Sequence, residues 1–152
     1  MTSRLSAWLL AAGLAVAVCV AVAARATADP VRRMPQTQLE RTARHVAVHN
    51  HRSCYGCASL RMKRLAAELV WRAFPPRSRV WALCVAIRES GLNPAAVSPD
   101  NDYGIGQIHV AVHPQFNARR LVRDPVYSVQ AFRRLSRAGA DRRPWEGGRY
   151  AC

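Results

Sequence analysis

Residues 83–108 read LCVAIRESGLNPAAVSPDNDYGIGQI, and this stretch decides the fold class. Its apolar start, Leu83 to Ile87, closes on Arg88-Glu89-Ser90, and Gly91 stands where a helix would stop, because glycine takes the left-handed cap without steric cost. Ser78 is a suitable N-cap. The spacing therefore predicts a helix from Ser78 to Glu89 or Ser90, with Val80, Trp81, Cys84 and Ile87 on its apolar face. Beyond Gly91, clusters of Pro, Asn, Asp and Gly through residue 124 read as turns, with short apolar pieces between Ile105 and Val112.

Outward from this segment the pattern stays helical. Leu39, Ala43, Val46 and Asn50 share one side of a helix expected over Thr37–His49. Leu65, Leu69 and Ala73, widened by Leu60, Met62, Ala66, Val70 and Phe74, mark a second that Pro75-Pro76 ends. Asp124-Pro125 supplies the N-cap and first residue of a last helix, with Val126, Val129, Phe132 and Leu135 buried before Gly139. No segment alternates with period two, so the fold class is mostly α with few or no strands.

The chain has 152 residues, 50% of them hydrophobic and 21% charged, a composition for one packed domain rather than a disordered chain. Arg4 precedes an uncharged run from Ala7 to Ala24, and Ala26-Thr27-Ala28 stands before Asp29. Residues 1–28 are expected to be a signal peptide cleaved after Ala28, or a membrane anchor if cleavage fails. Residues 29–36, with two prolines and two arginines, read as a linker before a domain over 37–152. Removal of 1–28 leaves a formal charge of +12 and four cysteines, Cys54, Cys57, Cys84 and Cys152. An even count in an exported domain favours two disulfides. Of the three pairings, Cys54–Cys57 with Cys84–Cys152 is the most economical, since it pins the last residue.

Few carboxylates remain as candidates for acid or base chemistry. Glu40 and Glu68 are expected on solvated helix faces, and Asp124 as a cap. Glu89 differs, because it lies in the last turn of an apolar helix, where unpaired carbonyls disfavour a carboxylate. Partial burial near Trp81, Ile87 or Tyr103 would raise its pKa in the same sense, as a general acid requires.

The ordered set Glu89-Ser90, Asn93-Pro94, Ser98 and Gly104-Ile105-Gly106-Gln107-Ile108 resembles the motifs of the lysozyme-like soluble lytic transglycosylase family, which includes goose-type lysozyme-like domains. The likeness covers residues 78–152, extending more loosely to Trp145 and Tyr150. It implies a small lysozyme-like domain with helices around a glycan-binding groove. By the same resemblance Glu89 is the catalytic acid/base cleaving the β-1,4 bond between N-acetylmuramic acid and N-acetylglucosamine, leaving a 1,6-anhydro end. Ser90, Ser98, Tyr103, Gly104, Gln107, Trp145 and Tyr150 are the expected substrate contacts: Gly104 and Gly106 for close backbone approach, Gln107 for hydrogen bonding, the aromatics for stacking on sugar faces. Gly106 stands where the family has Met, and no match to its Ala-Tyr-Asn segment follows. Were water the acceptor, the protein would be a lysozyme-type hydrolase, with Asp100 or Asp102 as the nearest second acid.

Three rival readings share these residues. His45, His49 and His51 with Cys54 and Cys57 have the donor types of a zinc site, yet an exported CxxC is more often oxidised, and no metal or cofactor is expected. A redox CxxC would want a βαβ context, which is missing. The paired arginines 119–120, 133–134 and 142–143 suit phosphates, but an exported protein meets anionic cell-wall polymers before nucleic acid. The expected partners are thus peptidoglycan strands and anionic wall polymers, with no nucleic acid. A non-catalytic wall-binding module of the same fold is the remaining alternative.

Overall fold

The computed structural model describes residues 29–50, 52–146 and 152. The expected signal peptide, His51 and Tyr150 lie outside the described residues. Residues 1–34 and 35–152 form separate units. In the first, Asp29 caps a single helical turn, α1 (Pro30–Arg33), its side chain accepting from the Val31 amide at 2.9 Å with proline at the first position. The stretch expected as a linker thus holds one turn, because an Asp cap and an N1 proline suffice to start it.

In the second unit α2 (Gln36–Val48), α3 (Leu60–Ala73), α4 (Arg79–Ser90), α5 (Ala118–Arg123) and α6 (Pro125–Leu135) enclose the core. α2 buries Leu39 and Ala43 against α3. α3 opens on Ser59, whose hydroxyl accepts from the Met62 amide, and buries Met62, Leu65, Ala66, Leu69 and Val70; Leu60, expected in the stripe, is exposed. Glu68, expected in solvent, is largely covered and paired with Arg72 at 2.7 Å. α6 follows the expected pattern. The Asp124 carboxylate accepts from the Val126 and Tyr127 amides, and Val126, Val129 and Phe132 are buried. Leu135 packs against a cluster of Ile108, Phe116, Leu121 and Ala131.

α4 departs from its expected face. Ser78 lies buried in a 3-10 turn (Pro76–Ser78) and makes no side-chain cap, and the helix begins at Arg79. Trp81, Ala82, Val85, Ala86 and Ser90 face inward, while Val80 is 73% and Ile87 47% exposed. A helix apolar on nearly every side does not announce its buried stripe, so tertiary packing selects it. Here the selection is aromatic: Trp81 meets Phe74, Phe132 and Trp145 with ring centroids 5.8–6.3 Å apart, and Phe132 lies 4.9 Å from Trp145.

The described strand content is one hairpin, β1 (Asp102–Tyr103) antiparallel to β2 (Ile108–His109), with Asp102 opposite His109 and Tyr103 opposite Ile108. The domain is therefore mostly α, as expected. The cysteines pair as Cys54–Cys57 and Cys84–Cys152, with Cα atoms 5.5 and 5.8 Å apart. Two disulfides fit an oxidising compartment.

Candidate active site

Glu89 and Ser90 form the last turn of α4, which Gly91 ends in the left-handed conformation at φ +60°. The end of a helix leaves carbonyls without intrahelical donors. Here the Gly91 amide donates to the Ile87 carbonyl and the Asn93 amide to that of Ser90, and the Cys54–Cys57 loop adds a second donor to each: the Tyr55 hydroxyl to Ile87 and the Gly56 amide to Ser90, both at 2.9 Å. Gly91 and Gly56 approach so closely that a Cβ on Gly91 would lie 2.6 Å from the Gly56 Cα.

The Glu89 side chain is 25% exposed. Arg88 holds it, with Nη2 at 2.7 Å and Nε at 3.0 Å from Oε1, and the same Nη2 donates to the Trp145 carbonyl. Apolar enclosure by Trp81, Ile87 or Tyr103 was the expectation. Instead Trp81 belongs to the aromatic core, Ile87 faces outward, and a guanidinium is the polar partner of the carboxylate. No spacing rule marks Arg88 in so arginine-rich a chain.

A second tie joins the helix end to the turn between β1 and β2. Ser90 Oγ, fully buried, lies 3.0 Å from both the Ala86 and Ile105 carbonyl oxygens. The Ile105 amide donates to Ser128 Oγ of α6, and the Trp145 indole N–H donates to the Gly106 carbonyl at 2.9 Å. Glu89 is thus fixed relative to residues 104–108 through Ser90 on one side and through Arg88 and Trp145 on the other.

Several residues expected at a sugar surface serve the interior. Ser90 is wholly buried, and Trp145 is 6% exposed, its ring against Phe132 and Trp81. Gly104, at φ +78°, meets Ser128 and the Leu121 backbone, so it answers a packing need; Gly106 lies against the Phe132 ring. Gln107 turns its amide NH2 to the Gly104 and Ala96 carbonyls at 2.9 and 3.3 Å. Ser98 Oγ accepts from the Asp102 amide and donates to its carboxylate, bracing the hairpin. Tyr103 is half-buried beside Ile108, its hydroxyl 3.5 Å from Asn101 Oδ1. Buried positions cannot meet a ligand, which leaves Glu89, Ser98, Tyr103 and Gln107 as the partly exposed members of the expected set among the described residues.

Of the second-acid candidates, Asp100 is exposed. Asp102 has one oxygen on Ser98 and the other 2.7 Å from His109 Nδ1, a pairing absent from the expected set. His45 and His49 lie edge to face with centroids 5.9 Å apart, but Cys54 and Cys57 are joined to each other, and no group of three or more metal-ligand side chains forms among the described residues. No protein-family model, curated protein or solved structure matches this chain.

Proposed function

We propose that the protein is an exported enzyme that cleaves the β-1,4 bond between N-acetylmuramic acid and N-acetylglucosamine in peptidoglycan, with Glu89 as acid and base. The observation that carries this reading is a carboxylate, 25% exposed and held by Arg88, in the last turn of a helix that Ser90 ties to the Ile105 carbonyl of the Gly104–Ile108 turn. Two disulfides and the leader-like residues 1–28 support export.

In this reading protonated Glu89 gives its proton to the glycosidic oxygen as the C1–O4 bond breaks. The carboxylate so formed takes the proton of the muramic C6 hydroxyl, whose oxygen attacks C1 and closes the 1,6-anhydro ring. The route needs no second carboxylate. That suits a site in which both Asp102 oxygens are already engaged.

The test is mass spectrometry of fragments released from purified peptidoglycan, with Glu89→Gln alongside. Loss of general acid catalysis should lower turnover by about 10³-fold in a variant that stays folded. Anhydro-muropeptides from the wild type alone support the transglycosylase. Ordinary reducing ends would replace it with a hydrolase and direct substitution to Asp100 and Asp102. No fragments from folded wild-type protein would leave a wall-binding module of the same fold.

A further inference from the structure

Tyr127, Gln130, Ala131 and Arg134 recur at i, i+3, i+4 and i+7 along one face of α6. With Arg133 and Phe116 they line a cleft of about 350 Å³ that shares no residue with the Glu89 cluster. A third guanidinium flanks it from α5, where Arg120 stacks over the ring of the lining Tyr127 at 4.1 Å. All three arginines are exposed, and no described carboxylate lies within ion-pair distance of any of them. The acids nearest in sequence are committed elsewhere: Asp124 to Arg44 at 3.1 Å and to the α6 cap, Asp141 to Arg143 at 2.8 Å. Three like charges around one cleft repel each other, a cost that an anionic ligand would reverse.

The cleft's chemistry narrows that ligand. Guanidinium forks match phosphate oxygens in bidentate fashion, and the Gln130 amide offers a donor and an acceptor to hydroxyls. Bound nucleic acid would want open aromatic faces for its bases. Phe116 is 6% exposed and Arg120 covers the Tyr127 ring, so no stacking platform is open there. We propose that this cleft docks a base-free phosphodiester polymer of polyol or sugar units, of the kind borne by a cell envelope. Such docking would keep the protein at its wall substrate. The envelope setting rests on the reading of Glu89 above; the recognition chemistry does not.

The experiment measures binding of purified protein to a synthetic poly(glycerol phosphate) at about 50 and about 200 mM salt. It compares Arg133→Gln/Arg134→Gln with a control pair on exposed positions of α3, Arg61→Gln/Arg64→Gln. The α6 pair should weaken binding about tenfold and flatten its salt dependence by about two released counterions, while the control pair changes it less than about twofold. Glu89→Gln should bind as the wild type does, so loss of catalysis and loss of docking are separable. A single-stranded oligonucleotide of equal charge should bind more weakly. Equal losses from both arginine pairs, or no binding at all, would overturn the site. Tighter oligonucleotide binding through Arg133 and Arg134 would replace it with a nucleic-acid site.

Discussion

Replacing Gly104 by alanine tests whether this glycine serves packing or ligand approach. The residue sits at φ +78°, its amide donates to the Ala96 carbonyl at 2.9 Å, and an added Cβ would collide with Ser128 Oγ and come within 2.8 Å of the Leu121 carbonyl oxygen. A side chain in the left-handed region costs about 1–2 kcal/mol. Overpacking adds about 1–3 kcal/mol, and displacing Ser128 from the Ile105 amide about 1 kcal/mol more. The expected loss is therefore about 3–6 kcal/mol, a large fraction of the stability of an ordinary domain. Ser128→Ala alone removes the acceptor of a buried amide and should cost about 1–2 kcal/mol. In the double variant one collision is gone and the lost hydrogen bond counts once. Its cost should fall below the sum by about 1–2 kcal/mol, yet exceed that of Ser128→Ala, since the Leu121 contact and the backbone strain persist. Urea unfolding followed by tryptophan fluorescence, with disulfides intact, measures all four corners. A Gly104→Ala protein within about 1 kcal/mol of wild type, or a strictly additive double variant, would refute the packing assignment.

The remaining predictions concern charge, cross-linking and one buried amide. The Arg143 side chain beside Asp141 holds its carboxyl at about 2, below its ordinary 3.8. Because the folded value lies below the unfolded one, this stabilisation is present above pH 4 and disappears as pH falls towards 2. Melting temperatures should fall less steeply across that window in Asp141→Asn; parallel curves would count against the pairing. Replacing both Cys84 and Cys152 by serine opens a cross-link spanning 68 residues and should cost about 4 kcal/mol by the chain-entropy estimate. In the wild type a thiol-reactive dye on the unfolded, unreduced chain should leave Cys54, Cys57, Cys84 and Cys152 unlabelled. Fully buried Asn93 donates to the Arg52 and Cys54 carbonyls and accepts from Asn50 and from the Ala95 amide. Asn93→Ala leaves those partners unmatched and should cost about 2–4 kcal/mol, with faster hydrogen exchange at the Gly56 amide; unchanged exchange there would dissociate Asn93 from the loop.

What was legible in the sequence was chiefly punctuation. Asp124-Pro125, Gly91 and Pro75-Pro76 bound helices because their chemistry acts on adjacent backbone, without help from distant residues. The α4 face was not legible, since Val80 and Ile87 are as apolar as Trp81 and Val85, and only the aromatic cluster from α6 and residue 145 decides which turn inward. Trp145 shows the same limit at the candidate site. An indole with a polar edge suits a sugar surface and a core equally, and the Gly106 carbonyl that receives its N–H lies 39 residues away. Glu89 stood out for its position in the helix, but nothing local reveals that Arg88 grips it and reaches the Trp145 carbonyl in the same stroke.

The histidine- and cysteine-bearing stretch gains a different purpose once α4 is seen to end against it. Beside the amides of Gly91 and Asn93, Tyr55 and Gly56, inside the loop that Cys54–Cys57 closes, add donors to the Ile87 and Ser90 carbonyls of the last turn. Asn93 binds the Cys54 carbonyl just past the helix, so the loop is anchored from both sides of Gly91. Such a brace limits how far the last turn of α4 can fray, and Glu89 sits in that turn. In the reading proposed above, an acid must be held to within fractions of an ångström of its target, and this loop would serve Glu89 by fixing the backbone of its turn. The half of the chain outside residues 78–152 thereby braces the helix end that carries Glu89.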